Sequence, residues 1–169
     1  MSYGEPPDHA PPRSQGAVLI REAVIRYRGP RRRIPAAIRY PTDVVEFIRN
    51  VVQRDAREHF LVLFLDGRHR PIAYQVASVG TATASLVHPR EIFQAAVGLG
   101  ACAILVAHNH PSGDPNPSPE DRSVTDRLVL AGQLLGIPLL DPVIVTQRKY
   151  ASIRELEPQK FTTQSNESL

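Results

Sequence analysis

Cysteine is almost missing from this sequence: Cys102 is the only one in 169 residues. An intramolecular disulfide is therefore impossible, and no cysteine pair exists to build a structural zinc finger. A reducing, intracellular setting is the expectation. Long apolar runs are missing too. The longest are Phe60 to Leu65, Cys102 to Ala107 and Ile137 to Leu140, far short of the about 20 residues that span a bilayer. The opening MSYGEPPDHAPPRSQG has no apolar core of the kind a secretory signal needs. A soluble cytoplasmic protein is expected. Charge of one sign is also lacking: 20 basic side chains against 17 acidic leave a net +3, which permits an acidic partner without requiring one.

What is present suits one domain of ordinary size, long enough to bury a core without a metal or disulfide staple. Residues 1–16 hold four prolines and two glycines and almost nothing apolar, so they read as a disordered tail. The domain is placed at 17–157, followed by a polar, flexible tail at 158–169. Within it, Ala17 to Tyr27 alternates like a strand and RGPRRRI interrupts it. Val44, Val45, Phe47, Ile48, Val51 and Val52 recur at helical spacing after Thr42, an acceptable N-cap. FLVLFL (Phe60 to Leu65) predicts a buried strand, Asp66-Gly67 a turn, and Pro71 to Val79 an antiparallel partner. Ser85 to His88 reads as a short edge. Pro89 to Leu99 predicts a helix with proline in its first turn, Cys102 to Ala107 a second buried strand, and Asn109 to Pro117 a polar loop. Pro119 to Leu135 predicts a helix closed by Gly136, and Pro138 to Val145 a last strand. Apolar strands interleaved with helices imply an α/β domain with a central sheet covered on both faces.

The chemistry lies in AHNHPSGDPNPSPEDR, residues 107–122. His108 and His110 stand at i and i+2 where a buried strand runs out, and side chains two apart on a strand point the same way. Asp121 falls eleven residues after His110, in the first turn of the next helix. A strand end and a helix start meeting across a loop form a crevice in an open α/β sheet. Two imidazoles and a carboxylate suit zinc and leave a fourth position for water. A plainer reading also exists. Ser118-Pro119-Glu120-Asp121 is a helix-capping sequence, in which Asp121 is a cap partner.

His-x-His, seven residues, Ser, two residues, Asp is the signature of the JAMM/MPN-domain metallopeptidases, and His108, His110, Ser118 and Asp121 match it. HNHPSGDPNPS, with GTATASLVHPREIF upstream, resembles the RadC branch of that superfamily over about Arg57 to Glu155. The resemblance implies a single MPN (JAB-like) domain, a twisted mixed β-sheet flanked by helices, with zinc held by His108, His110 and Asp121. It also implies a glutamate general base at the start of an earlier strand. Glu58, just ahead of the FLVLFL strand, occupies the corresponding place, although by itself it reads as a solvated residue of RDAREH. Glu91 in HPREIF is the second choice. The serine of the signature, Ser118, is implied to steady the tetrahedral intermediate, besides serving as a cap.

The activity implied is hydrolysis of a peptide or isopeptide bond, in a protein or peptide substrate that a ubiquitin-like partner would fit. The alternative is a nucleic-acid-associated module acting in DNA repair. Arg26, Arg28, Arg31, Arg32, Arg33 and Arg39, flanked by Tyr27 and Tyr40, form the one basic segment that would serve it. The helix-hairpin-helix module that precedes the catalytic domain in longer RadC-like proteins is expected to be absent. An iron(II) oxygenase with two histidines and one carboxylate shares the ligand types but gives the glutamate and serine no role. A non-catalytic MPN scaffold would not need the full set of motif residues.

Overall fold

The computed structural model describes residues 34, 38–52, 55–80 and 87–162. In chain order the elements are α1 (Thr42–Val52), β1 (His59–Leu65), β2 (Pro71–Val79), α2 (Pro89–Gly98), β3 (Ala103–Asn109), α3 (Pro119–Leu135), β4 (Leu139–Val145), β5 (Tyr150–Ser152) and α4 (Ile153–Leu156), followed by a 3-10 turn at Pro158–Phe161. The strands form one mixed sheet in the order β2-β1-β3-β4-β5. β1 is antiparallel to both β2 and β3, β3 and β4 are parallel, and β5 returns antiparallel to β4. The parallel pair is possible because α3 carries the chain from the end of β3 back to the start of β4.

Alternation along the strands divides the core in two. Phe60, Val62, Phe64, Ile104 and Val106 face α2 and α3, where they meet Ile92, Phe93, Val124 and Leu128. Leu61, Leu63, Leu65, Leu105 and Val143 face the other way, onto Val44, Val45, Phe47 and Ile48 of α1. Each such side chain withdrawn from water contributes roughly 1.5–3 kcal/mol. The continuous apolar character of FLVLFL follows, since both of its faces are covered.

Helix ends are set locally. α1 begins at Thr42 itself. Thr42 is thus the first helical residue and not the cap, and the Asp43 carboxylate reaches back to accept the N–H groups of Arg39 and Tyr40, ahead of the helix, at 2.7 and 2.9 Å. Gly136 closes α3 at φ +67°, a conformation that L side chains rarely adopt. Gly132 lets the returning chain pass close: a Cβ there would stand 2.6 Å from the Ile137 carbonyl oxygen.

Some expectations need correction. β3 runs two residues beyond the predicted end, through His108 and Asn109. β5 and α4 were not foreseen, because three strand residues and one helical turn are too short for periodicity to register. The polar segment from Pro158, expected to fray, begins with the 3-10 turn, and Phe161 packs against the α2–α3 core. Val87 and His88, the end of the expected short edge, lie outside any strand, with His88 at the N-cap of α2. The expected tail at 1–16, the strand at Ala17 to Tyr27, the arginines up to Arg33 and residues 85–86 lie outside the described residues. Among the described residues, no helix is long and apolar enough to cross a membrane.

Candidate metal centre

His108 is the sixth residue of β3 and its side chain continues the Ile104–Val106 face, buried to 2 % exposure. The Phe60 ring lies against it nearly parallel, 14° between planes with centroids 5.9 Å apart, because Phe60 is its register partner on β1. His110 follows just beyond the strand, its N–H still bonded to the Val145 carbonyl of β4 at 2.9 Å. Two-residue spacing therefore keeps both imidazoles on one side, and their Nε2 atoms converge to 3.0 Å.

Asp121 arrives from α3. The helix begins with a reciprocal cap: the Ser118 hydroxyl accepts the Asp121 N–H at 3.1 Å, and the Asp121 carboxylate accepts the Ser118 N–H at 2.8 Å. The capping reading of Asp121 is thus correct. It does not compete with the other reading, because the carboxylate divides its oxygens. Oδ1 stands 3.0 Å from His108 Nε2; Oδ2 stands 3.4 Å from His110 Nε2 and accepts the Ser118 O–H at 2.7 Å. Ligand atoms of His108, His110 and Asp121 all lie within 4.8 Å of one another.

The electrostatics agree with this convergence. Burial pushes the Asp121 carboxyl upward, but hydrogen bonds from both histidines and Ser118 outweigh it and hold the group well below the usual carboxylate range. The same contact with Asp121, against burial, raises His110; the Asp114 carbonyl and the Glu58 charge add to it. His110 Nδ1 faces the Asp114 carbonyl oxygen at 2.7 Å. In the neutral ring, donation there would leave the Nε2 lone pair free for an ion, the tautomer a metal ligand requires. Among the described residues, His108 Nδ1 has no hydrogen-bond partner.

The donor set, two imidazole nitrogens and a carboxylate, fits a divalent cation such as zinc with an open position left over. Glu58 is half-buried at the entry to β1. The β1–β3 register ends at Phe60↔His108. Glu58 stands just beyond that end, and its negative charge acts on His110. Glu91 is exposed in the first turn of α2. A groove of about 960 Å³ opens beside His110, between the end of α1 and the ends of β3 and β4, with Ile48, Val52, Asn109, Val145 and Gln147 in its walls. Of the basic segment, Arg39 alone is described, and it is exposed, as is Tyr40.

Two participants escaped the sequence reading. Asp114 acts through its main-chain oxygen, which no residue pattern reveals. Asn109, between the histidines, bonds to chain fifty residues away, and only its place inside the motif could have drawn attention to it.

Comparison with known proteins gives a consistent answer. A family model described as "RadC-like JAB domain" matches residues 38–158. A UPF0758 protein of Symbiobacterium thermophilum is 48% identical over 115 residues, covering 68% of this chain and 49% of the relative. One from Listeria welshimeri is 46% identical over 118 residues, covering 70% and 53%. One from Methanosarcina mazei is 39% identical over 126 residues, covering 75% and 53%. The chain therefore spans about half the length of the curated relatives it matches. The match takes in β1 through α4 and every residue of the cluster, and the chain belongs to the RadC-like JAB-domain family.

Proposed function

We propose that the chain is a zinc-dependent hydrolase that cleaves a peptide or isopeptide amide. The observation that carries this reading is the convergence of His108, His110 and Asp121 within 4.8 Å, with the charge of half-buried Glu58 felt at His110. His108, His110 and Asp121 would hold the ion. When bound, zinc lowers the pKa of a water to about 7 and polarises a carbonyl. The remaining work falls to the chain. Glu58 accepts the proton of the attacking water and delivers it to the leaving amine. Phe60 and the buried strand exclude bulk water behind His108. The groove beside His110 is open to an extended polypeptide. Ser118 steadies the developing oxyanion only if its single hydrogen leaves Asp121 Oδ2, where it now rests.

The test combines elemental analysis with hydrolysis of a mixed library of fluorogenic peptide and isopeptide amides. Wild type should carry about one zinc per chain and cleave a subset of the library. His108→Ala should lose both properties. Glu58→Gln, which keeps size but cannot take the proton, should keep zinc and lose about 10²–10⁴-fold in rate. Full zinc occupancy in a His108→Ala, His110→Ala double variant would sink the ligand assignment. Undiminished cleavage by Glu58→Gln would sink the choice of base.

A further inference from the structure

The main chain on either side of Glu58 is gripped by one side chain of the neighbouring strand. Asn109 is buried to 9 % exposure between the two histidines. Its Oδ1 accepts the His59 N–H at 2.8 Å, and its Nδ2 donates to the Arg57 carbonyl at 2.9 Å. A single carboxamide thus closes on the peptide units before and after Glu58. An antiparallel strand would offer the same pair, an acceptor for the residue after and a donor for the residue before.

A substitute strand is needed here because the real one leaves. β1–β3 pairing ends at Phe60↔His108, and the next N–H of β1, that of His59, goes to the Asn109 side chain instead of a β3 carbonyl. On the other edge of β1, the Gly80 N–H donates to the Glu58 carbonyl at 2.8 Å. Glu58 precedes the strand, yet its backbone is held from both sides. Asn109 contributes no atom to the ligand cluster. Its amide is also specific in kind. Aspartate could accept from His59 but would set an oxygen against the Arg57 carbonyl, and alanine would take this partner from both part-buried groups.

We propose that Asn109 is a positioning residue for Glu58: it fixes the reach of that carboxylate toward the space in front of His110 without touching metal or substrate. The proposal rests on Glu58 being the base. A displacement of about 1 Å in a reacting group typically costs about 10²-fold in rate, so the grip has kinetic consequences even where the ligands stay put.

Asn109→Ala and the near-isosteric Asn109→Asp, each alone and combined with Glu58→Gln, test it. Zinc per chain, crystal structures, and kcat and KM on the fluorogenic amide cleaved by wild type are measured. Zinc content should stay at the wild-type level, with His108, His110 and Asp121 unmoved and the Glu58 carboxylate displaced. The turnover number kcat should fall about 10–10²-fold with KM within about twofold. In the Glu58→Gln background, removing Asn109 should cost nothing further, since a residue acting only through Glu58 has nothing left to act on. An equal loss in that background, loss of zinc, or an effect confined to KM overturns the proposal. If wild type cleaves no amide, the hydrolase reading fails, and the crystal structures still decide the grip. Glu58 unmoved in Asn109→Ala overturns it, and Glu58 displaced over an intact ligand cluster upholds it.

Discussion

The Ser118 hydroxyl donates to Asp121 Oδ2 at 2.7 Å while accepting the Asp121 N–H at 3.1 Å. Helix start and carboxylate placement are therefore one construction: the bonds that begin α3 also aim Asp121 at the histidines.

Ser118→Ala should show both halves of that construction. Loss of the cap should lower stability by about 1 kcal/mol. Loss of the hydroxyl from the carboxylate should weaken zinc binding roughly 10–100-fold, as removal of an outer partner of a metal ligand typically does. Denaturant titration reads the first and competition with a chelating dye the second. Unchanged zinc affinity would mean that the Ser118 N–H and the histidines orient Asp121 unaided.

Removing the metal should leave the fold standing. The two apolar layers close without help from the ligand cluster, so chelator-treated protein should keep its far-ultraviolet circular dichroism and unfold cooperatively. Zinc should raise the midpoint only as far as mass action allows, about 2.7 kcal/mol at a hundredfold excess over Kd. Collapse of structure on chelation would show that the core is not self-sufficient.

Asp141 should impose a pH dependence far from the metal centre. Burial pushes its carboxyl up to about 6, partly offset by the Ser152 O–H at 2.7 Å and the Arg154 N–H at 3.2 Å. The folded value lies above the ordinary one of about 3.9. Its contribution to stability is therefore complete below about pH 4 and is lost as pH rises through about 6. A shift of this size corresponds to roughly 3 kcal/mol as an upper bound. Asp141→Asn should flatten the fall in stability between pH 4.5 and 7.5, read from urea midpoints. Identical slopes for the two proteins would remove Asp141 as the cause.

Gly132→Ala should destabilise despite alanine's better helix propensity. The added methyl would meet the Ile137 carbonyl oxygen at 2.6 Å and Phe93 Cζ at 3.4 Å, and overpacking of this kind costs about 1–3 kcal/mol. Thermal unfolding at a fixed pH decides it. A Tm equal to or above wild type would show that the start of β4 yields easily.

Reading residues in order recovered the parts whose signal is local. β1, β2, α3 and the Gly136 stop follow from short-range patterns, and so does the meeting of His108, His110 and Asp121, because the two histidines share a strand face and Asp121 sits in a cap sequence. Thr42 falls inside α1 and not at its cap, a one-residue difference that capping preference alone does not resolve. Glu58 could be placed only by resemblance, since its nearness to His110 depends on which strand lies beside β3. Asn109 shows the same limit more sharply. Its bonds to Arg57 and His59 exist only once β1 and β3 are in register, and no window of sequence contains both partners.

His108 lies in β3, a strand hydrogen-bonded to β1 on one edge and β4 on the other. Amides of such central strands exchange with solvent only when the whole domain opens, whereas loops and termini open alone. The cluster of His108, His110 and Asp121 is therefore anchored at His108 to the middle of the sheet. Thermal motion that frays a surface loop leaves the main chain of that histidine in place.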